Sequence, residues 1–509
     1  MNNSNKFLFA LICILFLLGS CGKKDAEYLE PAPEITGLET DYYVVVKESL
    51  LLSPAISSRV DSLVWFIDGK KVANASTYNF QAPAEPGNYN LVVMAYNAGN
   101  IYQKVVQITT GRYVNRETRT NSILSLDASE KFAGKNDIKW EILSAPSELY
   151  RLTGMDGDSQ SMLFSAVSRG TYQVKVSSGD LVDTLLITVR QALAPPSPYI
   201  SSVFDYLPAP GQFVNELPKY NPGDTYETML GKVSKDLVGE AANMITLGGW
   251  GGYVVVGFDH TIVNVPGKRD FRIYGNAFGA NSNPRPNAPF GGSCEPGIIL
   301  VAYDKNKNGK PDEDEWYEIR GSGSFSAETE SWYSIAASQG NDLRTFRNYE
   351  MTYYRPASEE PTGSPQGHVS ISEYIRWTDN QSQEGYKVKN TYHAQSYYPG
   401  WVKENNITCK GIRLARNGVD ESAAGNYYVL YAYRYGYADN YPNGHDNAGI
   451  DIDWAIDKNG NRVVLPGIDF VKVYNGVDQE NGWLGEASTE VSRGEDLHLL
   501  GIRIDTIDP

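Results

Sequence analysis

Residues 35–190 consist of short stretches in which apolar and polar residues alternate, each closed by turn-forming residues. Ser62–Ile67 and Tyr89–Tyr96 show this pattern, and Asp68-Gly69, directly after the first stretch, is typical of a hairpin turn. A period of two places alternate side chains on one face, so each stretch buries only one side. The pattern therefore predicts β-strands that pack as layered sheets.

Two consecutive segments share the same plan. Trp65 lies on one strand, and Glu85–Tyr89 leads into the long strand that follows. Trp140 and Gly170–Tyr172 occupy the corresponding places in the next segment. This plan resembles the PKD/immunoglobulin-like sandwich, in which the tryptophan fills the core. The resemblance implies two tandem PKD/Ig-like modules that act as a spacer, at residues 35–110 and 111–190.

The N-terminal residues have the pattern of a secretory signal. Twelve apolar residues, Phe7–Leu18, form a stretch shorter than the roughly 20 residues that span a bilayer. Leu18–Cys21 resembles the lipobox of bacterial lipoproteins, in which the cysteine sulfur is acylated. We therefore expect a signal peptide at 1–20, lipidation of Cys21 and a tether at 21–34. Such a protein is an outer-membrane lipoprotein, expected to be displayed at the cell surface.

Charge and cysteine content restrict the class of protein. Asp and Glu number 61 against 45 Lys and Arg, which gives a formal net charge of −16. Because nucleic-acid-binding proteins need a basic surface, we expect no nucleic-acid partner. In the mature body only Cys294 and Cys409 remain free of the signal and the lipid anchor. Their spacing carries no information on geometry, so a disulfide between them is left open.

A proline-rich linker at 191–198 precedes a large C-terminal region, 199–509. Its strands are short and aromatic, and helical periodicity is nearly absent. One helix is predicted over Tyr226–Ala242, with Asp224 or Thr225 as its cap. The region is predicted to be a jelly-roll-like β-sandwich domain. The whole chain is therefore expected to be all-β, with two sandwich modules followed by this larger domain.

A twelve-residue stretch in the C-terminal region fits the calcium-loop pattern D-x-N-x-N-G-x-x-D-x-x-E. Oxygen ligands at these spacings can surround a hard cation, and Gly309 permits the sharp turn. Strand-like residues flank the stretch on both sides, so we predict a strand–loop–strand site for structural Ca²⁺. A polar hairpin without metal is the alternative. The predicted ligands are Asp304, Asn306, Asn308, Lys310 through its carbonyl, Asp312 and Glu315.

Asp451 and Asp453 form a possible second acidic site. They lie two residues apart on an expected strand, which would place both carboxylates on one face. Two carboxylates on one face can hold calcium or act as an acid/base pair. The sequence leaves both uses open, and no other pattern identifies catalytic residues.

Aromatic residues provide a third signal. Tyr431, Tyr433, Tyr435 and Tyr437 alternate along one expected strand. Aromatic rings at a surface can stack against sugars or planar ligands, whereas most aromatic residues fill cores. The candidates for ligand stacking are Trp250, Tyr397, Tyr398 and Trp401.

Five motifs of the C-terminal region together resemble a known family. They are Pro208–Asn215, Leu247–Tyr253, Gly257–His260, Asp270–Phe278 and Asp451–Ala455. They look like the large domain of the Bacteroidota "cell surface protein" lipoproteins, which carry PKD-like N-terminal repeats. The resemblance implies an accessory lipoprotein of outer-membrane nutrient uptake, working with a TonB-dependent transporter. The implied ligand is a glycan or a cofactor such as a corrinoid.

Three functions are therefore considered. The first is a surface-exposed protein that binds a nutrient ligand and passes it to a transporter. The second is a glycoside hydrolase or other hydrolase that uses Asp451 and Asp453, which requires an open cleft. The third is an adhesin, which predicts a flat aromatic surface without a concave pocket.

Overall fold

The computed structural model describes residues 33–57, 59–97, 100–154, 159–240, 243–280, 287–358 and 361–507. The signal peptide 1–20, the lipidation site Cys21 and nearly all of the tether 21–34 lie outside these residues. The chain divides into two compact units, with the boundary between Asn115 and Arg116. Within the described residues, no helix is both long and apolar enough to cross a membrane.

The first unit is a β-sandwich around Trp65. Its five-stranded sheet has the order Asp41–Val45, Asn100–Gly111, Gly87–Asn97, Ser62–Ile67 and Lys70–Asn74. Two strand pairs complete it: Ile35–Thr36 with Ala55–Ile56, and Ser49–Leu52 with Tyr78–Gln81. Trp65 is fully buried, and its indole Nε1 donates to the carbonyl of Ala75 at 2.8 Å. The predicted role of this tryptophan in packing is confirmed.

The second module is also a β-sandwich and belongs to the second unit. One sheet has the order Val114–Arg119, Leu181–Arg190, Gly170–Ser178 and Lys139–Ser144. The other has the order Leu124–Asp127, Ser161–Ala166 and Tyr150–Thr153. Alternate residues of the two sheets meet in one core that includes Phe164, Tyr172 and Ile187. Trp140 is only half-buried, and its indole Nε1 donates to the carbonyl of Ser159 at 2.9 Å.

The C-terminal region is built from several antiparallel sheets, which confirms the all-β class. Six strands of its main sheet have the order Ser202–Ala209, Gly249–Val263, Gly467–Asn475, Gly297–Ala302, Trp316–Ile319 and Ala455–Ile456. A seventh strand, Tyr437–Ala438, pairs with Gly297–Ala302. A four-stranded sheet has the order Glu384–Asn390, Val369–Asp379, Phe346–Tyr354 and Asn406–Arg413. Another has the order Phe278–Gly279, Gly291–Ser293, Tyr428–Tyr431 and Gly418–Asp420. Smaller sheets join Gly449–Ile450, Phe271–Tyr274 and Arg493–Asp496, and pair Ile245–Thr246 with Glu490–Val491.

The predicted helix is present and ends earlier than expected, at Tyr226–Leu237. Thr225 is its cap, since the Thr225 side chain accepts the backbone N–H of Thr228. Gly239, with φ of +80°, takes a left-handed conformation that stops the helix. One face of the helix is buried and packs against the main core. It carries Met229, Val233 and Leu237, which lie four positions apart. A second, short helix spans Tyr333–Ser338.

The prediction of one continuous strand through Tyr431 and Tyr437 is wrong. The strand Tyr428–Tyr431 ends at Tyr431, and a separate strand begins at Tyr437. The segment between the two strands is held by Asn440, which follows the second strand, accepts the backbone N–H of Tyr433 at 2.8 Å and donates to the Tyr433 carbonyl at 2.6 Å. Tyr431, Tyr433, Tyr435 and Tyr437 are all buried, so these rings fill the core.

Candidate functional site

A groove of about 910 Å³ opens beside the N-terminus of the helix Tyr226–Leu237. Its walls come from the strand Ser202–Ala209, from the segment that leads into the helix and from residues 400–408. Its volume is in the range of small-molecule binding sites. Its lining includes Asp205, Tyr220, Tyr226, Tyr253 and Trp401.

Trp401 is the central aromatic residue of the groove. It is 7% exposed and stacks on Tyr206, with ring centroids 6.0 Å apart and an interplanar angle of 20°. Tyr220 lies against it at 6.1 Å. The indole Nε1 of Trp401 is buried and has no hydrogen-bond partner among the described residues. A buried donor without an acceptor costs about 1–3 kcal/mol, and an acceptor brought to this N–H would recover that free energy.

Asp205 organises the polar side of the groove. Its two carboxylate oxygens accept hydrogen bonds from the hydroxyls of Tyr226 and Tyr253, each at 2.7 Å. Burial and the nearby Asp205 raise the pKa of both tyrosines, so each hydroxyl stays protonated and donates. The Lys472 Nζ lies 4.0 Å from the Tyr253 ring and partly balances the carboxylate charge. The groove thus combines aromatic walls with a fixed polar edge.

Asn215 positions the loop that carries Trp401. The Asn215 amide donates to the carbonyls of Ser396 and Tyr398, at 3.0 and 2.9 Å. Its side-chain oxygen accepts the backbone N–H of Gly400 at 2.8 Å. Tyr398 in turn donates its hydroxyl to the carbonyl of Glu404 at 2.9 Å. These bonds fix the loop on both sides of Trp401.

The structure places the other three candidate stacking residues in the core. Trp250 is fully buried and donates its indole N–H to the carbonyl of Ile412 at 3.0 Å. Tyr397 and Tyr398 are also buried, and Tyr397 donates to the carbonyl of His393. None of the three lines the groove, so only Trp401 combines the predicted ring with a ligand-sized opening. Sequence reasoning missed Asp205, Tyr220, Tyr226 and Tyr253, which no local motif connects.

The predicted calcium loop has the expected strand–loop–strand form. It joins Gly297–Ala302 to Trp316–Ile319, with a 3₁₀ turn at Glu313–Glu315. The Asp304 carboxylate accepts the backbone N–H groups of Asn308 and Gly309, at 3.0 and 2.7 Å. Buried Glu315 accepts the N–H groups of Lys305 and Asp312, at 2.8 and 3.1 Å, and so closes the loop.

The side chains of this loop turn inward and could hold a cation. The Asp312 carboxylate accepts the side-chain amides of Asn306 and Asn308, at 2.6 and 2.8 Å. Carboxylate and amide oxygens together form the donor set that Ca²⁺ prefers, and Lys310 adds its carbonyl. The donor chemistry therefore fits calcium. A cavity of about 430 Å³ adjoins the loop and is bordered by Asp304, His260 and Asp469.

Asp451 and Asp453 do not share a strand face, which corrects the sequence-based expectation. Asp451 caps the 3₁₀ turn Ile452–Trp454, and its carboxylate accepts the N–H of Asp453 at 2.7 Å. Asp453 forms an ion pair with Arg151 at 2.6 Å. Burial, and after it the charge of Asp270, raises the pKa of Asp451 to about 7. Both carboxyls are buried, so the open cleft that a hydrolase pair requires is not formed by these two residues.

A different acidic cluster is the strongest metal-like arrangement among the described residues. Glu295, Asp439 and Glu490 are buried, and one oxygen of each lies within 4.8 Å of the other two. Burial raises the pKa of Glu295 to about 8 and of Asp439 to about 7, and also raises the pKa of Glu490. Such a cluster keeps protons at neutral pH or takes up a cation.

Cys294 and Cys409 are both free and buried. Burial raises the pKa of each thiol, to about 12 for Cys409. Both are therefore protonated thiols that pack in the interior.

No family model matches the chain, and no curated protein matches it in sequence. Among solved structures it is similar to an I-band fragment of titin, at 13% identity over 32% of this chain and 66% of that chain, with a TM-score of 0.15. A titin tandem of immunoglobulin domains is 14% identical over 32% of this chain and 98% of that chain, with a TM-score of 0.15. Immunoglobulin domains 1–4 of Sidekick-1 are 12% identical over 35% of this chain and 52% of that chain, with a TM-score of 0.14.

Proposed function

We propose that this protein is a lipid-anchored binding protein that captures a nutrient ligand in the Trp401 groove. The observation that carries the proposal is Trp401, a residue that lines the groove and whose buried indole N–H has no acceptor among the described residues. A binding site is where an unsatisfied donor of this kind is expected, because the ligand completes its hydrogen bond.

The chemistry of the groove favours a glycan as the ligand. Half-buried Tyr220, which packs against Trp401, offers aromatic surface on which a sugar ring can stack. The Trp401 N–H and the Asp205–Tyr226 pair offer a donor and an acceptor for hydroxyl groups. A volume of about 910 Å³ accommodates more than one sugar ring. A planar cofactor such as a corrinoid is the second ligand class to be tested.

The cellular context of the proposal comes from the sequence. Acylation of Cys21 would hold the protein at the outer membrane, and export would display it at the cell surface. A TonB-dependent transporter is the proposed partner that receives the ligand. A structural calcium ion in the loop Asp304–Glu315 is part of the same proposal, because the donor set suits it.

The direct test is titration calorimetry of the mature protein with neutral oligosaccharides and corrinoids, comparing wild type with Trp401→Phe. This substitution keeps an aromatic ring and removes the N–H donor. We expect about tenfold weaker binding, the equivalent of one hydrogen bond. Tyr386→Ala, at an exposed tyrosine outside the groove, is the matched control and should bind as wild type. Equal affinity of Trp401→Phe, or no binding by either ligand class, would contradict the proposal.

A further inference from the structure

A second aromatic surface lies outside the groove and is open to solvent. It consists of Phe213, Tyr392, His393 and Trp483, and we call it the outer aromatic patch. Phe213 is 37% exposed, Trp483 40% and Tyr392 70%. These exposures are high for large aromatic side chains, which usually contribute to stability by being buried. Exposed rings that are grouped rather than scattered indicate an interaction surface.

The rings of the patch form two perpendicular pairs. Phe213 and His393 have ring centroids 4.9 Å apart, with an interplanar angle of 68°. Tyr392 and Trp483 have centroids 6.1 Å apart, at 71°. The backbone of Leu484 lies within hydrogen-bonding reach of His393 and connects the two pairs. The patch therefore draws on three separate loops.

A buried asparagine fixes two of these loops to each other. Asn390 is 2% exposed, and its amide donates to the carbonyls of Gly482 and Trp483, at 3.3 and 3.0 Å. Its side-chain oxygen accepts the backbone N–H of Tyr392 at 2.8 Å. Because the backbones on both sides are held, the rings lose little further conformational freedom when a partner binds.

Phe213 is held in an unfavourable backbone conformation. Its φ is +60°, in the left-handed region that a bulky side chain rarely adopts. Its carbonyl accepts the N–H groups of Glu216 and Leu217, both at 2.9 Å, and these bonds maintain the turn. The strained residue carries an aromatic ring that is partly exposed and packs edge-on against His393. Backbone strain of this kind is a feature of functional positions.

The patch carries little charge. Burial lowers the pKa of His393, so its imidazole is neutral at pH 7. The nearby Lys387 is buried and forms an ion pair with Asp478 at 2.5 Å. The protein as a whole has a net charge of −16. An anionic polymer or an anionic membrane would therefore gain no attraction here, whereas the C–H faces of uncharged sugars match uncharged rings.

We propose that the outer aromatic patch is a second carbohydrate-binding surface, which holds the chain of a neutral polysaccharide. The partly exposed arrangement of its rings suits an extended chain rather than an enclosed small molecule. The segment after Phe213 continues to Tyr220 of the groove, so one stretch of chain contributes to both surfaces. The patch does not depend on the groove for its own contacts.

The test is retention of the full mature protein on insoluble polysaccharides. The probes are cellulose, starch, mannan and xylan as neutral chains, and polygalacturonic acid as the anionic one. Wild type should be retained by at least one neutral chain, and raised salt should not release it. Trp483→Ala and Tyr392→Ala should each weaken retention by about tenfold, as expected for an aromatic contact at the centre of an interface.

Phe213→Gly separates binding from stability. Glycine accepts a φ of +60° without strain, which offsets part of the packing lost with the ring, so this variant should melt close to the wild-type temperature. Its retention should nevertheless fall. If the ring served only the fold, the melting temperature would drop and retention would not change, which would overturn the proposal.

Two further variants distinguish this patch from the groove. Tyr386→Ala is the control for an exposed tyrosine elsewhere and should be retained as wild type. Trp401→Phe should weaken binding of soluble oligosaccharides in the groove and leave retention through the patch intact. The patch proposal is overturned if no neutral polysaccharide retains the wild type, if only the anionic polymer does, or if the double variant W483A/Y392A is retained equally.

Discussion

Arg151 of the second module forms a nearly buried ion pair with Asp453 of the C-terminal region, at 2.6 Å, with side-chain exposures of 12% and 11%. The same guanidinium donates to the carbonyl and the side-chain oxygen of Asn264, at 3.0 and 2.5 Å. Ser165 adds a hydrogen bond to the carbonyl of Pro466 at 2.6 Å. The second module is thus bound to the C-terminal region by specific polar contacts, which corrects the expectation that it acts only as a spacer.

Arg151→Ala should destabilise the second unit by about 3 kcal/mol, because it leaves the Asp453 carboxylate buried with less compensation. Urea unfolding measures the change. Arg112→Ala is the control, since its ion pair with Glu85 is largely exposed. Exposed pairs of this kind contribute little, so the control should unfold as wild type. Equal effects of the two substitutions would show that the Arg151 pair does not hold the module.

Calcium should stabilise the protein through the loop Asp304–Glu315. At a concentration a hundredfold above the dissociation constant, a ligand that binds only the native state adds about 2.7 kcal/mol. The melting temperature in calcium should therefore exceed that in chelator, and Asp304→Ala should abolish the difference. Asp457→Ala is the matched control, because Asp457 also accepts backbone N–H groups in an Asn-Gly turn. A chelator effect that persists in Asp304→Ala would place the ion elsewhere.

The sequence predicts features that depend on residues close together along the chain. It does not predict contacts between strands that lie far apart along the chain. Burial of Trp65 and a helix cap at Asp224 or Thr225 were both predicted, because strand alternation and helix capping are local, and the structure selects Thr225. The prediction that Asp451 and Asp453 share one strand face was wrong, since a 3₁₀ turn replaces the expected strand. Hydrophobic alternation does not reveal such a turn.

The groove could not be predicted for the same reason. Leu207 faces Tyr253 across two paired strands, and this register brings Asp205 close to the Tyr253 hydroxyl. Trp401 then joins them from a loop far along the chain. Trp250 and Tyr398 give the same aromatic signal in the sequence as Trp401 but do not line the groove. Aromatic content therefore predicts rings but not which of them border a groove, which depends on tertiary packing.

Asn215→Asp should weaken ligand binding in the groove. The substitution replaces the amide that donates to the carbonyls of Ser396 and Tyr398 with a carboxylate, which those carbonyls repel. The loop that carries Trp401 should lose its fixed position, at a cost of about 1–3 kcal/mol in stability. Calorimetry and thermal melting measure the two effects. Asn380→Asp, at an exposed amide that donates to the carbonyl of Asn348, should leave ligand affinity unchanged.

The cluster Glu295, Asp439 and Glu490 should make stability fall as pH rises. In the unfolded chain these carboxyls titrate near pH 4, whereas burial raises the pKa of Glu295 to about 8 and of Asp439 to about 7. The folded state therefore binds more protons than the unfolded state between about pH 4 and pH 8. These groups make their full contribution to the free energy of unfolding below about pH 4, and that contribution is lost as the pH rises to about 8. No basic side chain of the described residues forms an ion pair with them to oppose the loss.

Glu295→Gln tests this pH dependence, because the amide can keep the hydrogen bonds to Ser488 N–H and the Ser293 hydroxyl without titrating. Urea unfolding at pH 5.5 and pH 8.5 should show that the variant loses less stability than wild type, by at least about 1.4 kcal/mol, which corresponds to a one-unit difference in pKa. Glu328→Gln, at an exposed carboxylate, should follow wild type. If added divalent cations remove the pH dependence of wild type and not of Glu295→Gln, the cluster binds metal instead of protons. That result would replace the protonation account, since a cation would neutralise the same three carboxylates.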